Sequence, residues 1–149
     1  MAVGTGRIGY VFLVDGKLRD WRLSKKASKS PERAAKQAKI WINNLEPDVV
    51  VTERIGEHSA KSARTRALID AITDIDVGRK LLNVKAKRVC SAANKYEEAT
   101  VLGEQFPEIQ AWVPKKPRIW ETEPRNTVYF EALALALQVF GPAGSDPYT

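Results

Sequence analysis

A chain of 149 residues, 44% of them hydrophobic, is long enough for one domain with a sizeable core, and it contains no apolar run of the roughly eighteen residues that a membrane span needs. Lys and Arg total 24 against 18 Asp and Glu, and the formal net charge of +6 favours an acidic partner, nucleic acid ahead of a membrane surface. The single cysteine, Cys90, excludes an internal disulfide framework and a multi-cysteine zinc site, and the single histidine, His58, excludes a His-rich metal site. An unpaired thiol and the lack of a hydrophobic signal core at the N-terminus suit a reducing compartment, most simply the cytoplasm.

The opening MAVGTGRIGYVFLVDGK places Gly4, Gly6 and Gly9 in a G-x-G-x-x-G spacing. That spacing cradles a dinucleotide only where a strand leads in and a helix follows, because the helix N-terminus holds the pyrophosphate. Here YVFLV, Asp15-Gly16 and KLRDWRL follow, which predicts a hairpin pairing Ile8–Val14 with Lys17–Leu23 and no dinucleotide cofactor. SKKASKS is a polar, basic loop. Ser30-Pro31-Glu32 then starts a helix with a hydroxyl cap, a proline in the first turn and an acidic residue behind it. This helix runs to about Leu45, with Ala34, Ala38, Trp41 and Leu45 on one face, and Pro47 ends it.

Residues 48–53, DVVVTE, read as a strand buried on both faces. Ser59 or Ser62 caps a second helix reaching about Ile72. Lys80–Val89 reads as a strand and Ser91–Phe106 as a helix weakly interrupted by Gly103. Residues 107–124 are proline-rich and irregular. Arg125–Phe140 is a final helix stopped by Gly141-Pro142. The expected organisation is one α/β domain over 1–141, a mixed sheet with an N-terminal antiparallel hairpin and flanking helices, followed by a flexible tail at 142–149. A crossover helix leaves strand 48–53 parallel to Lys17–Leu23 and antiparallel to Ile8–Val14, and Met1–Val3 supplies a short stub of strand.

Two carboxylates stand out. Glu53 closes the buried valine strand, at the end where open α/β sheets gather ligands; its plainer reading is a solvated strand-end acid or a helix cap. Glu131 is the only charged side chain between Asn126 and Phe140, in VYFEALALALQVF. An acid in so apolar a helix must be paired, metal-bound or protonated, so it reads either as a ligand or as half of a buried salt bridge. Two such acids are raw material for a magnesium or manganese site, with Glu57 as a local third candidate. Arg54, His58, Lys61, Arg64 and Arg66 follow Glu53 closely and would sit beside any phosphate held there, unless they form a solvated face. Lys115, Lys116 and Arg118 lie between Trp112 and Trp120, an arrangement that suits base stacking or the anchoring of an irregular segment.

Three segments together resemble the RuvC and YqgF group of Holliday-junction resolvases, which have the RNase H-like fold. VGTGRIGYVFL is similar to that group's opening D-x-G-T-x-R-I-G motif, PDVVVTE to the strand ending in its metal-binding glutamate, and FEALALAL to its terminal D-A-L-A helix, with Glu131 in the place of the aspartate. The resemblance implies an RNase H-like sheet and a Mg2+- or Mn2+-dependent endonuclease acting on branched DNA or other structured nucleic acid. It further implies catalytic and metal-holding roles for Glu53 and Glu131, and a homodimer matching the two-fold character of a junction. Two positions depart from the pattern: the first-strand aspartate falls on Ala2, and a frequent His or Asp falls on Val128. Either a first strand carrying the aspartate lies upstream of Met1, or the member is degenerate. Two functions follow, a metal-dependent nuclease and a non-catalytic nucleic-acid-binding or scaffold protein of the same fold.

Overall fold

The computed structural model describes residues 1–56, 59–75, 77–78, 81–90 and 92–140. The opening glycines belong to strands. β1 (Ala2–Gly4) pairs antiparallel with β2 (Arg7–Val14), and β2 with β3 (Lys17–Ser24), in the order β1-β2-β3. Gly6, at φ +70, turns the chain from β1 into β2, and Asp15-Gly16 closes the hairpin, with Asp15 at φ 53. No helix follows Gly9. Its role is steric: a Cβ there would lie 2.8 Å from Val128 Cγ1 and 3.1 Å from the Arg22 carbonyl oxygen.

Helix α1 (Pro31–Leu45) begins where the S-P-E signal places it, and the Ser30 hydroxyl accepts from the Arg33 N–H at 3.2 Å. Ala34, Ala38, Trp41 and Ile42 are its buried stripe. β4 (Val49–Arg54) pairs in parallel with β5 (Leu82–Lys87), and α2 (Ala63–Thr73), capped by Ser62, lies between them in sequence. α3 (Lys95–Gln105) starts later than the sequence suggests. Asn94 is the cap, its side-chain oxygen accepting from the N–H groups of Tyr96 and Glu97 at 2.9 and 3.0 Å. The proline-rich segment contains a 3-10 helix at Pro107–Trp112, and α4 (Thr127–Phe140) closes the described chain. The expected tail at 142–149 lies outside the described residues.

Two apolar layers flank the strands. Val3, Ile8 and Tyr10 pack with Ala34, Ala38 and Trp41 of α1 and Leu68, Ile69 and Ile72 of α2. On the opposite side Ala2, Leu18, Val51 and Ala86 pack with α3 and α4. The neighbours Ala2 and Val3 point to opposite layers, as the pleat requires. A single described hydrogen bond joins the antiparallel sheet to the parallel pair: the Met1 α-ammonium donates to the Val51 carbonyl at 2.8 Å.

Two consequences are measurable. Gly9→Ala forces its new methyl group against α4 and should destabilise the protein by about 1–3 kcal/mol in urea titration; Val128→Ala should recover part of that loss, because it clears the nearer contact. Burial lowers the Met1 ammonium from 8.0 to about 5. Between those values the unfolded chain keeps a proton that the folded chain releases, so this contribution is complete above pH 8 and is lost as the pH falls towards 5. Nα-acetylation keeps the N–H donor to Val51 and removes the titration. The melting-temperature gap between acetylated and free chains should therefore widen as the pH falls from 8 to 5.

Candidate functional site

The carboxyl end of the parallel pair opens into a cleft of about 380 Å³. β4 delivers Glu53 to it, the chain after β5 delivers Arg88 and Cys90, and the start of α3 delivers Asn94 and Lys95. Glu131 enters from α4 with Leu135 one turn below it, and Lys61 enters from the segment before α2. The structure thus brings Glu53 and Glu131 into one cleft.

Glu53 is 9% exposed, and its Oε2 accepts from Lys61 Nζ at 2.9 Å. Lys61 is held there by Arg66, whose guanidinium donates to the carbonyls of Lys61, Ser59 and Gly56 at 3.3, 2.9 and 3.3 Å. Arg66, expected on the phosphate-binding face, instead staples the loop that presents Lys61. Burial pushes the Glu131 carboxyl above its ordinary range. Lys95, Lys61 and Arg88 pull it back, and the charge of Glu53 adds to the rise. Arg88 pairs with Glu98, which is fully inside the protein, and Lys95 pairs with Glu123. Every cation of the cleft is therefore held by a carboxylate.

The remaining expected contacts disperse. Arg54 is exposed at the end of β4. Arg64 donates to the Ser28 carbonyl at 3.2 Å and ties α2 to the 3-10 turn before α1. Glu57 and His58 lie outside the described residues. Lys115, Lys116 and Arg118 are exposed and do not line the cleft; Arg118 faces Glu121 at 3.8 Å and covers the Trp120 ring at 5.5 Å. Trp112 packs edge-on against Trp21 at 5.1 Å, whereas Trp120 is 75% exposed. Neither tryptophan lines the cleft.

Sequence reasoning passed over Arg88, Asn94, Lys95 and Glu98. Their signal was positional: Arg88 follows the second parallel strand, whose carboxyl end borders the same crevice as that of the first. Glu98 sits beside Ala99 and one turn before Leu102 on the buried side of α3.

Among the described residues no three acidic, imidazole or thiol groups cluster as metal ligands. The donor set in the cleft is two carboxylates, Glu53 and Glu131. This fits a magnesium ion shared with a substrate, because Mg2+ is commonly bound through one or two carboxylates, substrate phosphates and water. It does not fit a closed, all-protein cage. No helix among the described residues is long and apolar enough to cross a membrane. Comparison with protein-family models, with curated proteins and with solved structures finds no match to the chain.

Removing a cation from one buried carboxylate and removing the charge of the other should have opposite effects on stability. Arg88→Met takes the guanidinium away from the interior Glu98 carboxylate and should cost about 3–5 kcal/mol by urea denaturation. Glu131→Gln removes a charge that burial disfavours, so the variant should be at least as stable as the parent at pH 8. Because the parent's stability declines as pH rises through the raised Glu131 range, the advantage of the Gln variant should shrink as the pH falls towards 4.

Proposed function

We propose that the chain is an RNase H-like domain, similar to RuvC and YqgF proteins, that binds branched or structured nucleic acid at the Glu53–Glu131 cleft and cleaves it with magnesium or manganese. The observation that carries this reading is the placement of two acids from distant elements in one cleft rimmed by Lys61, Arg88 and Lys95. The strand arrangement is compatible with it: a β1-β2-β3 antiparallel sheet lies beside a separate parallel β4-β5 pair, and the Met1 nitrogen just ahead of β1 bonds to Val51 of β4.

Glu53 and Glu131 would hold the ion together with the scissile phosphate; the ion would supply charge neutralisation and an activated water. Lys95 and Arg88 face the phosphate oxygens, where fixed cations favour the charge that develops in phosphoryl transfer. Lys61 occupies Glu53 in the free protein and exchanges that carboxylate for the substrate phosphate on binding.

A second reading is a non-catalytic binding module of the same fold. It is favoured by Ala2, which the resemblance sets in the place of a carboxylate and which is 4% exposed among apolar neighbours of α4. A methyl group there provides no ligand. The two readings share the prediction of salt-sensitive binding and part at cleavage. Titration of a four-way junction should show affinity falling steeply with salt, and Lys61→Ala and Lys95→Ala should each lower the log–log slope by about one. With Mg2+ or Mn2+ the parent should cut the junction and Glu131→Gln should bind without cutting. Binding without cutting by the parent selects the module reading, and salt-independent or undetectable binding removes nucleic acid as the partner.

A further inference from the structure

The segment between the 3-10 helix at Pro107–Trp112 and α4 carries cations and a ring that the cleft does not use. Both of its ends are fixed. At one end Pro114 is buried, Val113 packs against the core and Trp112 meets the Trp21 ring. At the other, Glu123 pairs with Lys95 of the cleft and Thr127 is buried at the start of α4. Between them the chain reverses in a closed turn. The Glu121 N–H donates to the Arg118 carbonyl at 2.9 Å, and the Arg118 N–H donates to Glu121 Oε1 at 3.4 Å. Ile119 and Trp120 hold the two central positions of that turn. They are the most exposed large apolar side chains among the described residues, at 101% and 75%. The Arg118 guanidinium lies 5.5 Å from the Trp120 ring centroid and covers one face of it, so the exposed area belongs largely to the other face.

We propose that this turn is a stacking platform for an unpaired base. The Trp120 ring receives the base on its open face, Arg118 supports the ring from behind, and the exposed Lys115 and Lys116 meet phosphates of the same strand. A base inside a duplex already has neighbours on both faces, so the platform selects a base that is splayed out of the stack. The inference rests on the nucleic-acid reading of the cleft and deepens it by naming the substrate, a strand with unpaired nucleotides beside the cleft.

The tie to the cleft sets the reach. Trp120 precedes Glu123 by three residues, at most about 11 Å of extended chain, and Glu123 is paired with Lys95. At the roughly 3.4 Å rise per nucleotide of a stacked strand, the ring stands about three nucleotides from a phosphate held at Lys95. Charge and continuity choose among occupants. Three cations against Glu121 leave the turn positive, which suits an acidic strand that also enters the cleft. A bilayer surface of the same charge would draw Glu121, directly behind Trp120, in among anionic headgroups. A base on the open face of the ring leaves Glu121 in water beside Arg118.

The test uses the full chain and three probes: a short oligothymidylate, a blunt duplex of equal length, and vesicles containing phosphatidylserine. The parent should bind the oligothymidylate more tightly than the duplex, and the reverse order would overturn the platform. Trp120→Ala should weaken oligothymidylate binding roughly 5- to 100-fold without changing its log–log salt slope, and Trp120→Phe, which keeps a ring, should recover part of the loss. Lys115→Ala and Lys116→Ala should each lower the slope by about one. Equal affinity of the parent and Trp120→Ala overturns the platform. Vesicle binding that needs Trp120, alongside oligothymidylate binding that does not, overturns it in favour of a bilayer. Lys95→Ala separates this inference from the reading it rests on. Weakened binding in Lys95→Ala alone overturns the platform and keeps the cleft; weakened binding in Trp120→Ala alone keeps the platform and overturns the cleft as a binding site. A parent that binds neither the oligothymidylate nor the duplex removes both.

Discussion

Helix α4 is the constraint on which the fold depends. The antiparallel sheet and the parallel pair share one described hydrogen bond, so backbone pairing alone does little to join them. α4 spans the gap. It packs on β1, β2, β4 and β5, and its fourteen residues, about 21 Å long, roughly match the width of four strands. That contact needs a close approach, which Gly9 permits by having no side chain beneath Val128. The nearly continuous burial from Thr127 to Ala136 is the energetic result, since each fully buried Leu or Phe contributes roughly 1.5–3 kcal/mol of transfer free energy.

A helix with so many neighbours has little surface left for a charge. Glu131 lies where α4 passes the carboxyl ends of β4 and β5, on the stripe that the cleft leaves open. Its carboxyl pays for partial burial with a raised proton affinity, and the cations of the cleft moderate that rise. Those cations are themselves restrained: Lys61 by Glu53 and by the loop that Arg66 staples, Arg88 by Glu98, and Lys95 by Glu123. Under the proposed nucleic-acid reading, side chains held in this way would lose less freedom on meeting a phosphate than free surface lysines do.

The local signals in the chain translated directly into elements. The D-G pair, the S-P-E start and the valine run gave the hairpin, α1 and β4 within a residue or two of their observed limits, because each acts through neighbours a few residues away. Where two local signals competed, the reading slipped. Ser91 and Asn94 can both cap a helix, and Asn94 does so. The segment after Phe106 reads as irregular from its prolines, yet it winds into a 3-10 helix that lays Ile109 into the core and Trp112 against Trp21. Of the candidate site, the two acids were legible because each is out of character with its surroundings, one ending an apolar strand and the other interrupting an apolar helix.

By itself, then, the sequence determined the kinds of element, their order, the antiparallel hairpin and the two acids that meet in the cleft. Periodicity, caps and turn chemistry are short-range, and they survive without knowledge of the fold. Tertiary structure alone decided which charge meets which. Lys61 finds Glu53 across a loop, Arg88 finds Glu98 across a helix start, and Arg66 turns from a ligand-facing cation into a staple, because only packing sets distances between residues far apart in the chain. The same holds for the cleft beside Met1, lined by Tyr10–Val14 of β2 and Val49–Val51 of β4. Its two walls are separated by more than thirty residues of sequence, and the space between them exists only once α1 and α4 have closed over both faces.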